Sequence, residues 1–213
     1  MRMIKILRSL YIKTFWSYEY QLKKAVGDSQ SLLDLGCGYP SPIKSFSSRL
    51  YSVGVDIFEP SIEKSKAESI HNEYKKLNIL DAGNEFKERS FDCALASDVI
   101  EHLSKENGEK LIKIMEGLAS KKVVIFTPNG FLHQPTHDEN EYQEHLSGWS
   151  VQEMRDKGYK VTGINGWKPL RKEFAEIRFK PTFLWAIISV LTQTMVQYFP
   201  KHAFALLCIK KLN

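Results

Sequence analysis

Two short segments carry residues whose types and spacing suit a ligand. In Leu32-Leu33-Asp34-Leu35-Gly36-Cys37-Gly38 an apolar run ends at an aspartate and a Gly-x-Gly turn follows. Glycines there let the backbone turn sharply and approach a ligand closely, with no Cβ in the way. Val53-Gly54-Val55-Asp56-Ile57 ends a second apolar run in a carboxylate about 20 positions later, where it can accept hydrogen bonds from both hydroxyls of a ribose. Together they point to a nucleoside-containing cofactor. A dinucleotide fits less well, because the third glycine of its G-x-G-x-x-G fingerprint falls on Ser41. Further along, Asp98-x-x-Glu101-His102 would share one face if the stretch forms a turn of helix. Thr127-Pro128-Asn129 then opens a loop with His133, His137 and His145, followed by Trp149. Carboxylates and imidazoles in such a set suit proton transfer or divalent-cation binding.

These residues must be held by something regular. Apolar runs punctuated by Gly, Pro or Asp predict strands over Ser31–Asp34, Ser52–Asp56, Lys75–Ile79, Phe91–Ser97, Val123–Thr127, Tyr159–Ile164 and Phe204–Ile209. Ser-Leu-Leu-Asp-Leu and Val-Val-Ile-Phe-Thr are short and continuously apolar, which suits strands covered on both faces. Between them Ser61–Tyr74 and Ser104–Ala119 carry helical spacing, with Leu111, Ile114, Met115 and Leu118 on one face. Ser41-Pro42 looks like an N-cap followed by proline at the first helical position. Alternation of this kind predicts a doubly wound, mostly parallel α/β sheet, with ligands outside the carboxyl ends of its strands. A capping role after a strand accounts for Asp34, Asp56 or Asp81 taken singly.

At 213 residues the chain suits a single domain over 1–213. Two segments depart from the alternation. Residues 1–24 read as a basic amphipathic helix with Ile4, Ile6, Leu7 and Leu10 on one side. Residues 167–202 form an insertion between the last two strands, with Leu184, Ile187, Ile188, Leu191, Met195 and Tyr198 at helical spacing. The net charge of +5 hides an uneven distribution: residues 1–24 and 168–213 are both basic and the middle is acidic. The two outlying segments would pack on the domain, close over an acceptor pocket, or rest as basic-apolar surfaces on anionic lipid. Cys37, Cys93 and Cys208 are too scattered for a disulfide framework or a paired metal motif, so a reducing, cytoplasmic setting is expected, with peripheral membrane contact through 1–24 and 181–199 as the variant. No cleavable signal peptide is apparent. The longest apolar run, Phe183–Leu191, is about half of the roughly 20 residues needed to span a bilayer.

In order along the chain, these motifs resemble those of class I S-adenosylmethionine (SAM)-dependent methyltransferases. Asp34-Leu35-Gly36-Cys37-Gly38 is similar to the first motif of that family and Val55-Asp56-Ile57 to the second. Asn78-Ile79-Leu80-Asp81-Ala82 resembles the third, and Ser90 through Leu103 the fourth; Lys122–Asn129 resembles the fifth strand and its turn. The likeness spans roughly residues 30–165, with Pro40 standing where many members carry a third glycine. It implies seven strands in the order 3-2-1-4-5-7-6, with Phe204–Ile209 the antiparallel one. It also implies that Gly36, Gly38 and Asp34 meet the methionine part of SAM, Asp56 the ribose, and Ile57, Asp81 and Ala82 the adenine, with Ser97 at the methyl-delivery point. Ubiquinone-biosynthesis O-methyltransferases and small-RNA terminal 2′-O-methyltransferases share an acidic-x-x-Glu-His layout with a later histidine. By that resemblance Asp98, Glu101, His102 and His145 would hold Mg, Mn or Zn; Asp98 replaces their usual Glu. Without a metal, Glu101 and His102 would act as catalytic acid–base groups. The expected reaction is methyl transfer to a hydroxyl of a small, hydrophobic or lipid-linked acceptor, with N-methylation, RNA 2′-O-methylation and a non-catalytic SAM-binding role as the other readings. No RNA-binding module is visible, so a nucleic-acid partner is not expected.

Overall fold

Seven strands lie in one sheet, and its central strands β1 and β4 are buried on both faces, as their apolar sequences require. A computed structural model describes residues 17–134 and 141–213. The strands are β1 (Ser31–Leu35), β2 (Tyr51–Asp56), β3 (Glu73–Lys76), β4 (Phe91–Ser97), β5 (Ala119–Pro128), β6 (Lys160–Trp167) and β7 (Ala203–Lys211). Their spatial order is β3-β2-β1-β4-β5-β7-β6. Strands β1 to β5 pair in parallel, while β7 runs antiparallel to both β5 and β6. This is the expected order, with the expected strand reversed.

Successive residues of each central strand feed opposite layers. Leu33, Ala94, Ala96, Val123 and Ile125 face one core with Leu111, Ile112, Met115 and Leu118 of α4 (Lys105–Leu118). Leu32, Cys93, Leu95, Val124 and Phe126 face the other, with Leu22, Ala25 and Val26 of α1 (Tyr18–Val26). Full burial of each Leu or Ile contributes about 1.5–3 kcal/mol, so a strand buried on both faces supplies a rigid floor for the loops at its carboxyl end. The remaining helices are α2 (Glu59–Ala67), α3 (Ala82–Glu85), α5 (Val151–Asp156) and α6 (Thr182–Val196).

Three local expectations change. The third strand is Glu73–Lys76 rather than Lys75–Ile79: Asn78 Oδ1 accepts from Leu80 N (3.0 Å) and turns the chain into a 3-10 segment, Ile79–Asp81. The helical stretch expected to Tyr74 stops at Ala67, and Ser69 takes a left-handed conformation (φ 51°). Ser41-Pro42 opens only a 3-10 turn, Pro42–Ser45.

Residues 1–16, which carry most of the expected N-terminal amphipathic helix, lie outside the described residues, as does His137. Ser17 caps α1 by accepting from Tyr20 N (3.1 Å), and α1 buries its apolar side. In the 167–202 segment, α6 does the reverse: Ser189, Gln193 and Val196 face inward, while Leu184, Ile187 and Leu191 are exposed.

Candidate active site

The loops after β1, β2 and β4 converge on one cleft. Gly36 N and Cys37 N both donate to Val55 O (2.8 and 3.0 Å), which ties the first turn to the end of β2. Gly36 has φ 75°, and a Cβ there would lie 2.6 Å from Val99 Cγ2, so glycine is required for both conformation and space. Asp56 Oδ2 accepts from Gly38 N and Oδ1 from Phe58 N, both at 2.8 Å. Burial raises the Asp56 carboxyl, against these backbone donors. One carboxylate thus organises both loops while keeping lone pairs for a ligand.

Asp34 does not line the cleft; it is buried behind the turn. Its Oδ2 accepts from Ser41 Oγ and meets His71 Nε2, each at 2.9 Å. His71 comes from the segment ahead of β3, so no local sequence signal announces it. Replacing His71 with leucine leaves a buried carboxyl without its main partner, and is expected to lower unfolding free energy by roughly 3 kcal/mol in urea titrations. Unchanged stability would show the pair to be dispensable.

The cleft has two lobes. The larger, about 670 Å³, is lined by Gly36, Gly38, Asp56, Ile57, Ser97 and the Asn78–Leu80 turn, among others. Asp81 is exposed and Ala82 buried, and the Asn78–Leu80 segment lines the wall beside them. The smaller lobe, about 300 Å³, is walled by Phe126, Pro128, Leu132, Phe174 and Phe204, with Glu101 and His145 at its polar end. Tyr18, Asp98, His102, Gln134 and Phe174 border both. Tyr18 was not legible as a site residue. Its ring lies 4.2 Å from that of Phe126 and its hydroxyl shares a hydrogen bond with Ser97 Oγ, at the junction of the lobes. Burial, and next the Asp98 charge, raises the Tyr18 phenol well above its ordinary range.

The acidic-x-x-Glu-His stretch is not an α-helical turn. Asp98 has φ 53°, and a 3-10 turn, Ile100–His102, follows. The His-bearing loop is fastened to that turn: Leu146 N and Ser147 N donate to Glu101 O (2.8 and 3.0 Å). Fully buried Trp149 adds a bond from Nε1 to Ile100 O (3.2 Å). A Cβ on Gly108 would lie 2.4 Å from the Trp149 ring, so α4 needs glycine there to let the indole in.

This brings Glu101, His102 and His145 together, with potential ligand atoms within 4.8 Å of one another. Asp98 stands outside that group, and His133 is not in it. Glu101 is buried; Oε2 accepts from Thr127 Oγ1 (3.0 Å), and Oε1 has no hydrogen-bond partner among the described residues. Burial and then the neighbouring Asp98 charge push the Glu101 carboxyl well up. Asp98 opens onto the cleft, but the surrounding protein strips away much of its water and raises it to about 7. His102 Nδ1 faces Glu144 O (3.1 Å) and His145 Nδ1 faces Leu132 O (2.7 Å). Carbonyls only accept, so each Nδ1 carries its proton and each Nε2 keeps a lone pair, the arrangement used by metal-binding histidines. Burial lowers His102 to about 4 and also lowers His145.

Residues 33–126 match the family model described as a methyltransferase domain. The match runs from β1 into β5, just under half of the chain, and takes in the loops that line the larger lobe. No curated protein sequence matches the chain. Among solved structures, a SAM-dependent methyltransferase from Archaeoglobus fulgidus is similar at 16% identity and TM-score 0.57, covering 96% of this chain and 99% of that one. The methyltransferase domain of bacterial CtHen1 aligns at 17% identity and TM-score 0.53, over 90% and 94% of the two chains. Haemonchus contortus phosphoethanolamine N-methyltransferase 2, solved with SAM, aligns at 19% identity and TM-score 0.54, over 90% of this chain and 51% of that one. These likenesses show the fold and leave the acceptor open.

Proposed function

We propose that this methyltransferase binds SAM in the larger lobe and methylates a hydroxyl of a hydrophobic acceptor held in the smaller one. The single observation that carries the reading is the buried Glu101 carboxyl, whose Oε1 lacks a partner among the described residues, at the polar end of an otherwise apolar lobe. Gly36 and Gly38 would admit the methionine part of SAM, Asp56 would accept from the ribose hydroxyls, and Ile57 with the Asn78–Leu80 turn would flank the adenine. Asp34 would act from behind, by holding the turn. Ser97 and Tyr18 would border the methyl-delivery point.

SAM supplies a methyl group on a positively charged sulfur, and the chemical step is an in-line displacement. The acceptor oxygen forms the new C–O bond as the C–S bond breaks, and the hydroxyl proton must go to the protein. Aligning the reactants alone can contribute about 7–11 kcal/mol. Asp98, at about 7, is the better proton acceptor, because a base works best with a pKa near the working pH. His102, near 4, is a weak base, better suited to donate a lone pair.

Glu101, His102 and His145 fit a divalent cation: one orphaned buried carboxylate oxygen and two neutral imidazoles of fixed tautomer. A cation there would acidify a bound hydroxyl and offset the carboxylate charge. Manganese is expected to raise the melting temperature of the wild type but not of Glu101→Gln; equal shifts in both would remove the metal from the account.

Initial rates should rise with pH through about 7 as Asp98 loses its proton, with no further inflection from His102 between about pH 6 and 8. Its contribution to folding runs the other way. A carboxyl raised from 3.8 to about 7 adds stability that is fully present below 3.8 and lost as the pH rises through about 7. Rates flat across neutral pH would exclude Asp98 as the base.

An acceptor screen scored by S-adenosylhomocysteine release separates the chemistries. Phenolic, catecholic and lipid-linked hydroxyls should turn over; selective turnover of amines, or of RNA 3′ ends, would replace the O-methyl reading. Peripheral contact with a membrane is part of the same proposal, because a hydrophobic acceptor would be met there. The exposed apolar face of α6 supports it.

A further inference from the structure

We infer that the outward face of α6 seats the enzyme on a bilayer containing anionic lipid. This deepens the peripheral-membrane part of the proposed function and rests on it.

A helix packed on a sheet ordinarily hides its apolar stripe. In α6 the buried side is polar and narrow. Gln193 Nε2 donates to Gly163 O (2.8 Å), and its Oε1 accepts from Gly166 N (3.0 Å). Thr192 Oγ1 accepts from Trp167 N (3.0 Å). These bonds occupy backbone groups of β6, the edge strand, which would otherwise be open to pairing with another chain. The packing is tight: a Cβ on Gly163 would lie 2.2 Å from Val196 O, and one on Gly166 2.3 Å from Ser189 O. The rotation of α6 about its axis is therefore fixed by hydrogen bonds and steric fit. It cannot roll its apolar side inward without orphaning Gln193 and the β6 backbone.

The opposite arc consequently faces out. Phe183, Leu184, Ile187, Leu191 and Met195 are all exposed, within an arc of about 120° at 3.6 residues per turn. Tyr198 (75% exposed) and Phe199 (61%) extend the patch just beyond the helix. Isolated exposed apolar residues are ordinary, whereas a contiguous patch marks a binding surface. α1 offers no such surface, since Leu22, Ala25 and Val26 are buried.

Charge selects the occupant. α6 itself carries no charged residue, and no Asp or Glu follows Glu176 in the sequence. Arg178 and Lys180 precede the helix and Lys201 follows it, all exposed. An apolar face with cations at both ends and Phe and Tyr among its residues matches the layering of an anionic bilayer surface. No helix among the described residues is long and apolar enough to cross a membrane, so the contact is lateral. The acceptor lobe lies close in sequence: Phe174 and Ala175 line it, and Phe179 then packs against Trp185 of α6 with ring centroids 5.0 Å apart. A lipid-borne acceptor would thus enter beside the anchoring helix.

The test is co-sedimentation of the full chain with vesicles of phosphatidylcholine alone or doped with phosphatidylglycerol. Wild type should pellet with the doped vesicles and release at high salt. Ile187→Gln/Leu191→Gln, which leaves the buried face of α6 intact, should bind at least about tenfold more weakly. Lys180→Glu/Lys201→Glu should lose the preference for anionic lipid. Binding of S-adenosylhomocysteine, measured in parallel, reports folding and the methyltransferase reading separately from the lipid step. Wild type remaining in the supernatant with both vesicle types, or the apolar variant binding as well as wild type, would overturn the proposal. So would a stable dimer in light scattering that the same substitutions dissociate, because a second copy would then cover the face.

Discussion

Glu101→Gln is expected to lower kcat by about 100- to 1,000-fold while leaving affinity for S-adenosylhomocysteine unchanged. The substitution keeps side-chain size and leaves an oxygen to accept from Thr127, so the buried turn around Ile100–His102 keeps its packing. It removes the one carboxylate whose free oxygen points to chemistry. Glu101 borders the smaller lobe and not the larger, which is why cofactor affinity should be insulated. Stability should hold or increase, since a buried carboxyl beside Asp98 is costly to ionise. Loss of activity with a gain in stability is the signature of a functional group kept at structural expense. Rates within a few-fold of wild type would make Glu101 a structural residue.

Asp56→Ala is expected to weaken SAM and S-adenosylhomocysteine binding by about 100-fold or more, which corresponds to losing hydrogen bonds from two ribose hydroxyls to a charged acceptor. Part of the loss would come through the empty protein, because Asp56 also holds Gly38 N and Phe58 N. Asp56→Asn separates the two contributions: its single carbonyl oxygen retains one acceptor and no charge, so it should fall between alanine and wild type. An alanine variant binding like wild type would place the nucleoside elsewhere.

What was legible in the sequence was whatever local chemistry determines. Continuous apolar runs gave β1, β4 and β7 because strands buried on both faces leave no polar choice. The two glycine-and-aspartate loops were legible because backbone geometry at Gly36 admits no side chain. β3 was less so: it is a charged edge strand, Glu-Tyr-Lys-Lys, and Leu77, Ile79 and Leu80 beyond it pack on the core from a turn rather than pairing. The site's assembly was only half visible. Glu101 and His102 are neighbours in sequence, but His145 joins them through Trp149 and backbone bonds that span more than forty residues. Tyr18 meets Ser97 in the cleft and His71 meets Asp34 behind it, each from far away in sequence, and nothing near them in sequence marks either one. The helical spacing of 181–199 predicted a helix correctly, but not that its polar side would be the buried one. That depended on Gly163 and Gly166 being opposite.

Cofactor binding in the larger lobe is tested most directly by calorimetric titration of the wild-type chain with S-adenosylhomocysteine and with SAM. One site of micromolar affinity is expected for both, abolished or sharply weakened in Asp56→Ala and unchanged in Glu101→Gln. Absence of heat and of thermal stabilisation with either ligand, in a chain that melts cooperatively, would contradict it.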